Sequence, residues 1–216
     1  MKRILIALVC LMGGMPITAQ TMKQLFIAMP DSVSIVMNKM NREDCVDFLA
    51  NKMKARVQNR FDKPAELLTL TDDYLLANPT ANATWEMRRL PVSDSTFVVC
   101  MVTTVAGPLK DSRIRFYSTD WKELPLSRFV TNIPTADDFY LIPTDSSKAD
   151  TLRTLRQQAL ITFLEARLSP QDNSLSFYYN TPEHMTPEDA ARIKAYLRKK
   201  PVRYEWKEGK YVHIKD

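Results

Sequence analysis

The sequence predicts an α+β fold: an antiparallel β-meander packed with helices and arranged as two helix-plus-sheet lobes. Three observations carry that prediction. Residues 82–121 form three strand-like runs divided by short breaks rich in Pro, Asp, Ser and Gly. Amphipathic runs of helical period lie before and after that block. The breaks are shorter than the dozen or so residues a parallel crossover needs, so neighbouring strands must pair antiparallel.

The chain opens MKRILIALVCLMGGMPITAQ. Lys2 and Arg3 precede an apolar stretch, residues 4–12, which falls short of the roughly 20 residues of a membrane helix. This is the pattern of a secretory signal peptide over residues 1–19, cut between Ala19 and Gln20. Cys10 follows Val9 rather than the small residue expected of a lipoprotein signal. No later stretch is long and apolar enough for a membrane helix. Export would place the protein in the periplasm or the cell envelope.

Residues 22–29 read as a short helix stopped by Pro30. Residues 41–53 read as a better one, capped by Asn41, with Cys45, Phe48, Leu49 and Met53 as its apolar stripe and room to continue to Val57. Residues 67–77 read as a first strand, interrupted at Asp72-Asp73. In residues 82–89, Ala83, Trp85 and Met87 alternate with Thr84, Glu86 and Arg88, so one face should be dry and the other wet. Residues 113–118 repeat the scheme, with Ile114 and Phe116 dry against Arg113, Arg115 and Tyr117. Between them, residues 95–105 are apolar at both parities, the mark of a strand buried on both faces. These elements make a first lobe over residues 20–124.

Residues 125–147 hold Pro125, Pro134 and Pro143 and read as a connector with one apolar piece at 139–142. The second lobe, residues 148–216, starts with a helix over 148–158 that turns Leu152 and Leu155 inward. A hairpin follows, residues 161–169 and 174–180 around a turn at 170–173. Thr186 and Pro187 open a helix with Ala190, Ile193 and Leu197 on one face, ending before Pro201. A last hairpin turns at Glu208-Gly209.

Composition excludes several chemistries. The formal charge of +5 falls to about +3 without Lys2 and Arg3 of the leader, which is mild, and the basic residues are scattered apart from Arg198, Lys199 and Lys200, which argues against a nucleic-acid surface. Beyond the leader the only glycines are Gly107 and Gly209, and no phosphate-binding or nucleophile-elbow motif occurs. His184 and His213 lack partners at ligand spacing, so no metal or other cofactor is expected. Cys45 and Cys100 are either a candidate disulfide or two buried thiols. The acids Asp72, Asp73, Asp137, Asp138, Glu165 and Asp172 read as turn formers; adjacent acids on a strand face opposite sides and make no catalytic dyad. Trp85, Trp121 and Trp206, with Tyr178, Tyr179 and Tyr204, are either core or a candidate aromatic surface for stacking a sugar or peptide.

The segments NREDCVDFLANKMKA, LTDDYL, DSTFVVCMVTT, FYSTDW and RLSPQDNSLSF followed by TPED together resemble an uncharacterised secreted protein family of Bacteroidales. The resemblance spans the chain beyond the leader. It implies a cell-envelope location and supplies no activity or functional residue. The helix-plus-four-strand arrangement also resembles cystatin-like and β-lactamase-inhibitor-like modules, a likeness of architecture alone. The expected role is a non-catalytic exported binding or accessory module whose partner is an envelope protein or a glycan. The alternatives are a carboxylate-based glycan hydrolase and an inhibitor or accessory subunit that adds an edge strand to a protein partner.

Overall fold

Seven strands in chain order form one antiparallel sheet, helices cover one of its faces, and a second antiparallel sheet covers the other. The computed structural model describes residues 20–159 and 161–214. The leader reading and Ala19 lie outside those residues; the carbonyl of Gln20 accepts from Arg89 Nη1 at 3.0 Å. The elements are α1 (Met22–Ala28), α2 (Lys39–Ala50), β1 (Arg56–Gln58), β2 (Pro64–Leu70), β3 (Tyr74–Thr80), β4 (Ala83–Pro91), β5 (Phe97–Ala106), β6 (Lys110–Ser118) and β7 (Glu123–Leu124), all β1–β7 in one sheet. After α3 (Ser146–Gln158) come β8 (Leu164–Leu168), β9 (Ser174–Tyr179), α4 (Pro187–Lys194), β10 (Val202–Lys207) and β11 (Lys210–His213). The last four strands form the second sheet, ordered β11-β10-β9-β8.

The two covered faces have separate interiors. On the helix side, Met22, Leu25, Phe26, Cys45 and Val46 pack on Leu75, Trp85, Met87, Val99, Met101 and Tyr117. On the other side, Cys100, Val102, Ile114 and Phe116 meet Leu168, Leu175, Phe177, Val202, Tyr204 and Tyr211. β5 is therefore buried on both faces, as its unbroken apolar run requires.

The structure departs from the sequence reading in two ways: distant parts of the chain cover a surface, and several elements start or stop elsewhere than expected. Tyr117, expected on a wet face, is buried against Trp121 with ring centroids 5.4 Å apart. Arg88, also expected wet, is 9% exposed and reaches the β8–β9 turn, donating to Asn173 Oδ1 at 2.9 Å and to the carbonyls of Ser169 and Pro170. Residues 67–77 are not one interrupted strand but parts of β2 and β3, joined where Thr71 N–H donates to the Tyr74 carbonyl. α2 begins earlier than expected. Asn38 is its cap, and Asn41 sits three residues on and returns the bond, at 2.9 and 3.2 Å. Val57 joins β1, not the helix. α4 stops at Lys194, so Leu197 lies beyond it. The 125–147 stretch is pinned down: Phe129, Val130, Phe139 and Tyr140 are buried, while Leu141 and Ile142 are exposed. Val130 bridges Tyr211, and Tyr140 bridges Leu197.

Candidate functional site

The residues singled out from sequence do not assemble into one site. Trp85 and Trp121 are buried in the helix layer, and the Trp121 indole donates to the Leu25 carbonyl at 3.0 Å. Trp206 sits on the opposite side of the large sheet, stacked 6.2 Å from both Phe116 and Phe129. The three tryptophans therefore share no surface. Cys45 and Cys100 also belong to opposite faces of that sheet, and both are free buried thiols rather than a disulfide. Burial pushes the Cys45 thiol up to about 11 and the Cys100 thiol well above its ordinary range, so neither offers a thiolate nucleophile near neutrality.

Most of these acids are spent on structure. Asp73 binds Arg89 at 2.6 Å, and the Asp72 carbonyl accepts the Met22 N–H. Asp138 caps the short turn at Thr135, Asp137 pairs with Arg156, and Asp172 pairs with Arg203 at 3.0 Å. His184 lies edge-on to Phe163 and His213 leans on Tyr204. Among the described residues no three His, Cys, Asp or Glu side chains converge as metal ligands.

One pair of carboxylates has contrasting environments. β8 crosses the large sheet with its unpaired edge turned onto it. The outward N–H groups of Leu164, Ala166 and Leu168 donate to Asp111 Oδ1 at 3.0 Å, Ser112 Oγ at 2.9 Å and Glu86 Oε2 at 3.3 Å. An exposed strand edge invites foreign strands; here side chains close it. Beside this seam lies a cavity of about 230 Å³ lined by Thr84, Glu86, Thr104, Lys110, Glu165 and Arg167. Burial raises the proton affinity of Glu86, against the bonds it accepts from Tyr74 and Leu168. Burial pushes Glu165 the same way, but two bonds from Arg167 and one from Lys110 outweigh it, and its carboxyl sits below the ordinary range.

Split proton affinities mark acid–base pairs. Here, however, each oxygen of both carboxylates already accepts a bond from the protein, so the pair serves as a fastening between sheets. The signs predict opposite pH effects. Glu86 favours the folded state below the ordinary carboxylate range and loses that contribution as pH rises through its raised value. Glu165 contributes above that range and loses its contribution as pH falls through its lowered value. Glu86→Gln should therefore gain stability relative to the wild type as pH rises from about 4 to about 7. Thermal unfolding of both proteins across that range is the check, and parallel curves would contradict the assignment.

An open groove lies on the other side of β6. β7 is two residues long and pairs only with Phe116 and Tyr117. The residue after it, Pro125, has no N–H with which to continue the ladder. Lys110 to Arg115 thus have β5 on one side and, among the described residues, no strand on the other. Ser118 N–H points to the β7 side, bonding the Lys122 carbonyl. By the two-residue period of an antiparallel strand, the backbone groups of Ile114 and Ser112 point the same way. A cavity of about 420 Å³ follows this edge, floored by Ile114, Leu126, Leu164 and Phe177 and flanked by Ile133. Arg113, Arg115 and Glu123 rim it. A second cavity of about 400 Å³ continues along β6 past Val105, Leu109 and Phe163. Arg115 and Glu123 approach at 3.8 Å, while Arg113 has no ion-pair partner among the described residues.

The sequence is compatible with strand addition but marks no groove residue for it. The available signal was Pro125, placed two residues after Glu123 opens an edge strand too short to cover its neighbour.

The profile of a family described as "Protein of unknown function (DUF3256)" matches residues 15–211. Among solved structures, a domain of an uncharacterised protein from Porphyromonas gingivalis W83 is similar to this chain with a TM-score of 0.77 and 28% identity. The match covers 91% of this chain and 100% of that one. None of the curated proteins matches the chain.

Proposed function

The chain belongs to the DUF3256 family of proteins of unknown function, and from that premise we propose that it is a non-catalytic exported module that binds an extended segment of an envelope protein along β6. The observation that carries this reading is the uncovered edge from Lys110 to Arg115 beside an apolar cavity of about 420 Å³. Strand addition draws affinity from main-chain bonds and specificity from pockets for alternate side chains. A cavity of this size fits the range for a specific binding site, about 300–1,000 Å³. Arg113, without an ion pair among the described residues, favours an acidic residue on the incoming segment. Export rests on the leader pattern of residues 1–19, and the envelope location follows from it. Hydrolysis of glycans by paired carboxylates has less support, because Glu86 and Glu165 have each oxygen already engaged.

The test uses the chain from Gln20 onward and a synthetic peptide alternating valine with threonine around one central aspartate. Hydrogen exchange at the Ser112 and Ile114 amides should slow when the peptide is added. Arg113→Glu and Ile133→Glu should each weaken binding about tenfold or more, as loss of one charge-assisted or buried apolar contact implies. Unchanged exchange at both amides would refute the reading. So would protection that depends on the protein's own concentration without peptide, since the edge would then pair two copies of this chain.

A further inference from the structure

We infer a second binding site, for a negatively charged sugar, where β9 meets the turn before β10. It is independent of the β6 groove. Two features that are far apart in the sequence come together there. One is the tyrosine pair Tyr178 and Tyr179 at the end of β9, with Asn180. The other is the only dense basic run in the chain, which includes Lys199 and Lys200. These residues line one cavity of about 180 Å³, with Phe139 on its wall and no Asp or Glu among its described lining residues.

The pocket is built on fixed backbone. Arg198 N–H donates to the Phe139 carbonyl at 2.9 Å, and Leu141 N–H donates to the Tyr196 carbonyl at 2.7 Å. Those bonds hold the lysine-bearing turn against the 136–141 segment. Tyr179 stacks on Phe139 with centroids 5.5 Å apart, and its hydroxyl lies 3.1 Å from that of Tyr140. The Arg167 guanidinium sits 4.6 Å from the Tyr178 ring centroid, fixing that ring. The Asn180 side chain donates its amide to the Lys110 carbonyl at 3.1 Å, which orients its oxygen. Lys199 and Lys200 have no ion-pair partners among the described residues, whereas many of the other cations here have one.

Size and chemistry select the ligand. At about 180 Å³ the cavity is smaller than the roughly 300 Å³ at which sites for drug-sized molecules begin, so it suits a single ring. Two ammonium groups with no ion-pair partner among the described residues call for an anion. Aromatic rings beside a side-chain amide and phenolic hydroxyls suit the mixed apolar and hydroxylated surface of a sugar. A pyranose bearing a carboxylate or phosphate satisfies all three requirements, with its charge at Lys199 and Lys200 and its ring beside Tyr178.

Calorimetric titration of the chain from Gln20 onward with a galacturonic acid trimer, glucose 6-phosphate, inorganic phosphate and a neutral glucose trimer tests this. At least one charged sugar should bind saturably, and which of the two does so identifies carboxylate or phosphate as the favoured charge. Lys199→Glu/Lys200→Glu should weaken that binding at least about tenfold, and Tyr178→Ala should weaken it severalfold. Both variants should keep the wild-type circular dichroism, and Arg113→Glu should bind the sugar normally. The proposal fails if neither charged sugar binds. It also fails if the neutral trimer or inorganic phosphate binds as tightly as the charged sugar, or if the lysine variant binds unchanged.

Discussion

Replacing Arg42 by alanine should lower folding stability by about 3–5 kcal/mol, the combined cost of a lost buried donor and of a large side chain deleted from the interior. Arg42 lies in the first turns of α2 and is only 1% exposed. Its guanidinium donates to Asp31 Oδ1 at 3.1 Å, to the Met37 carbonyl and to the Met29 carbonyl. It thus ties the irregular segment between α1 and α2 to the second helix. Burial lowers the proton affinity of the guanidinium, and the Asp31 carboxylate opposes that effect. Removing the side chain leaves the buried Met29 carbonyl without its donor, leaves the Met37 carbonyl with Ser34 Oγ alone, and empties a large volume of the interior. Asp31 is half exposed, so Asp31→Asn should cost about 1 kcal/mol or less, as surface pairs do. Chemical denaturation of both variants checks the contrast. A loss for Arg42→Ala no larger than that for Asp31→Asn would mean that the carbonyl bonds contribute little.

Phe116→Ala should cost about 3–5 kcal/mol, the usual range for deleting a fully buried aromatic side chain. Phe116 is completely buried on β6, facing the second sheet. It stacks on Phe129 of the 125–147 segment at 4.6 Å and lies near Trp206 and Tyr211 of the terminal hairpin at 6.2 and 6.3 Å. One ring therefore joins the large sheet, the connector and the small sheet. The variant should still unfold in a single transition, shifted to lower denaturant, because the interior it weakens is common to both sheets. The check is coincidence of tryptophan fluorescence and far-ultraviolet circular dichroism. Trp121 reports on the helix layer and Trp206 on the sheet–sheet interface, so separated transitions would show that the sheets melt independently.

Much of the fold was legible because it follows from local periodicity. β4, β5 and β6 fall close to where the alternation places them, and the Thr186-Pro187 start of α4 and the Glu208-Gly209 turn are as read. The Glu208-Gly209 pair has positive φ at both residues, the backbone that a tight hairpin requires and that glycine adopts without strain. The misread faces share one cause. Alternation tells which side chains share a face, but it does not tell whether a later segment will cover that face. Arg88 and Tyr117 looked wet because the layers that bury them come from other parts of the chain.

The candidate sites were less legible still. Open edges and pockets are properties of what fails to pair. The β6 groove exists because β7 ends after two residues, and the tyrosine–lysine pocket exists because α4 stops early enough to bring residues 198–200 beside β9. By itself the sequence determined the α+β class, the strand buried on both faces, α1 and the start of α4, since each depends on neighbours within a few positions. Only the tertiary structure decided which faces are dry, why Glu86 and Glu165 hold their protons so differently, and where a strand edge stays open. Those outcomes depend on contacts between residues far apart in the chain, whose pairing no local pattern encodes.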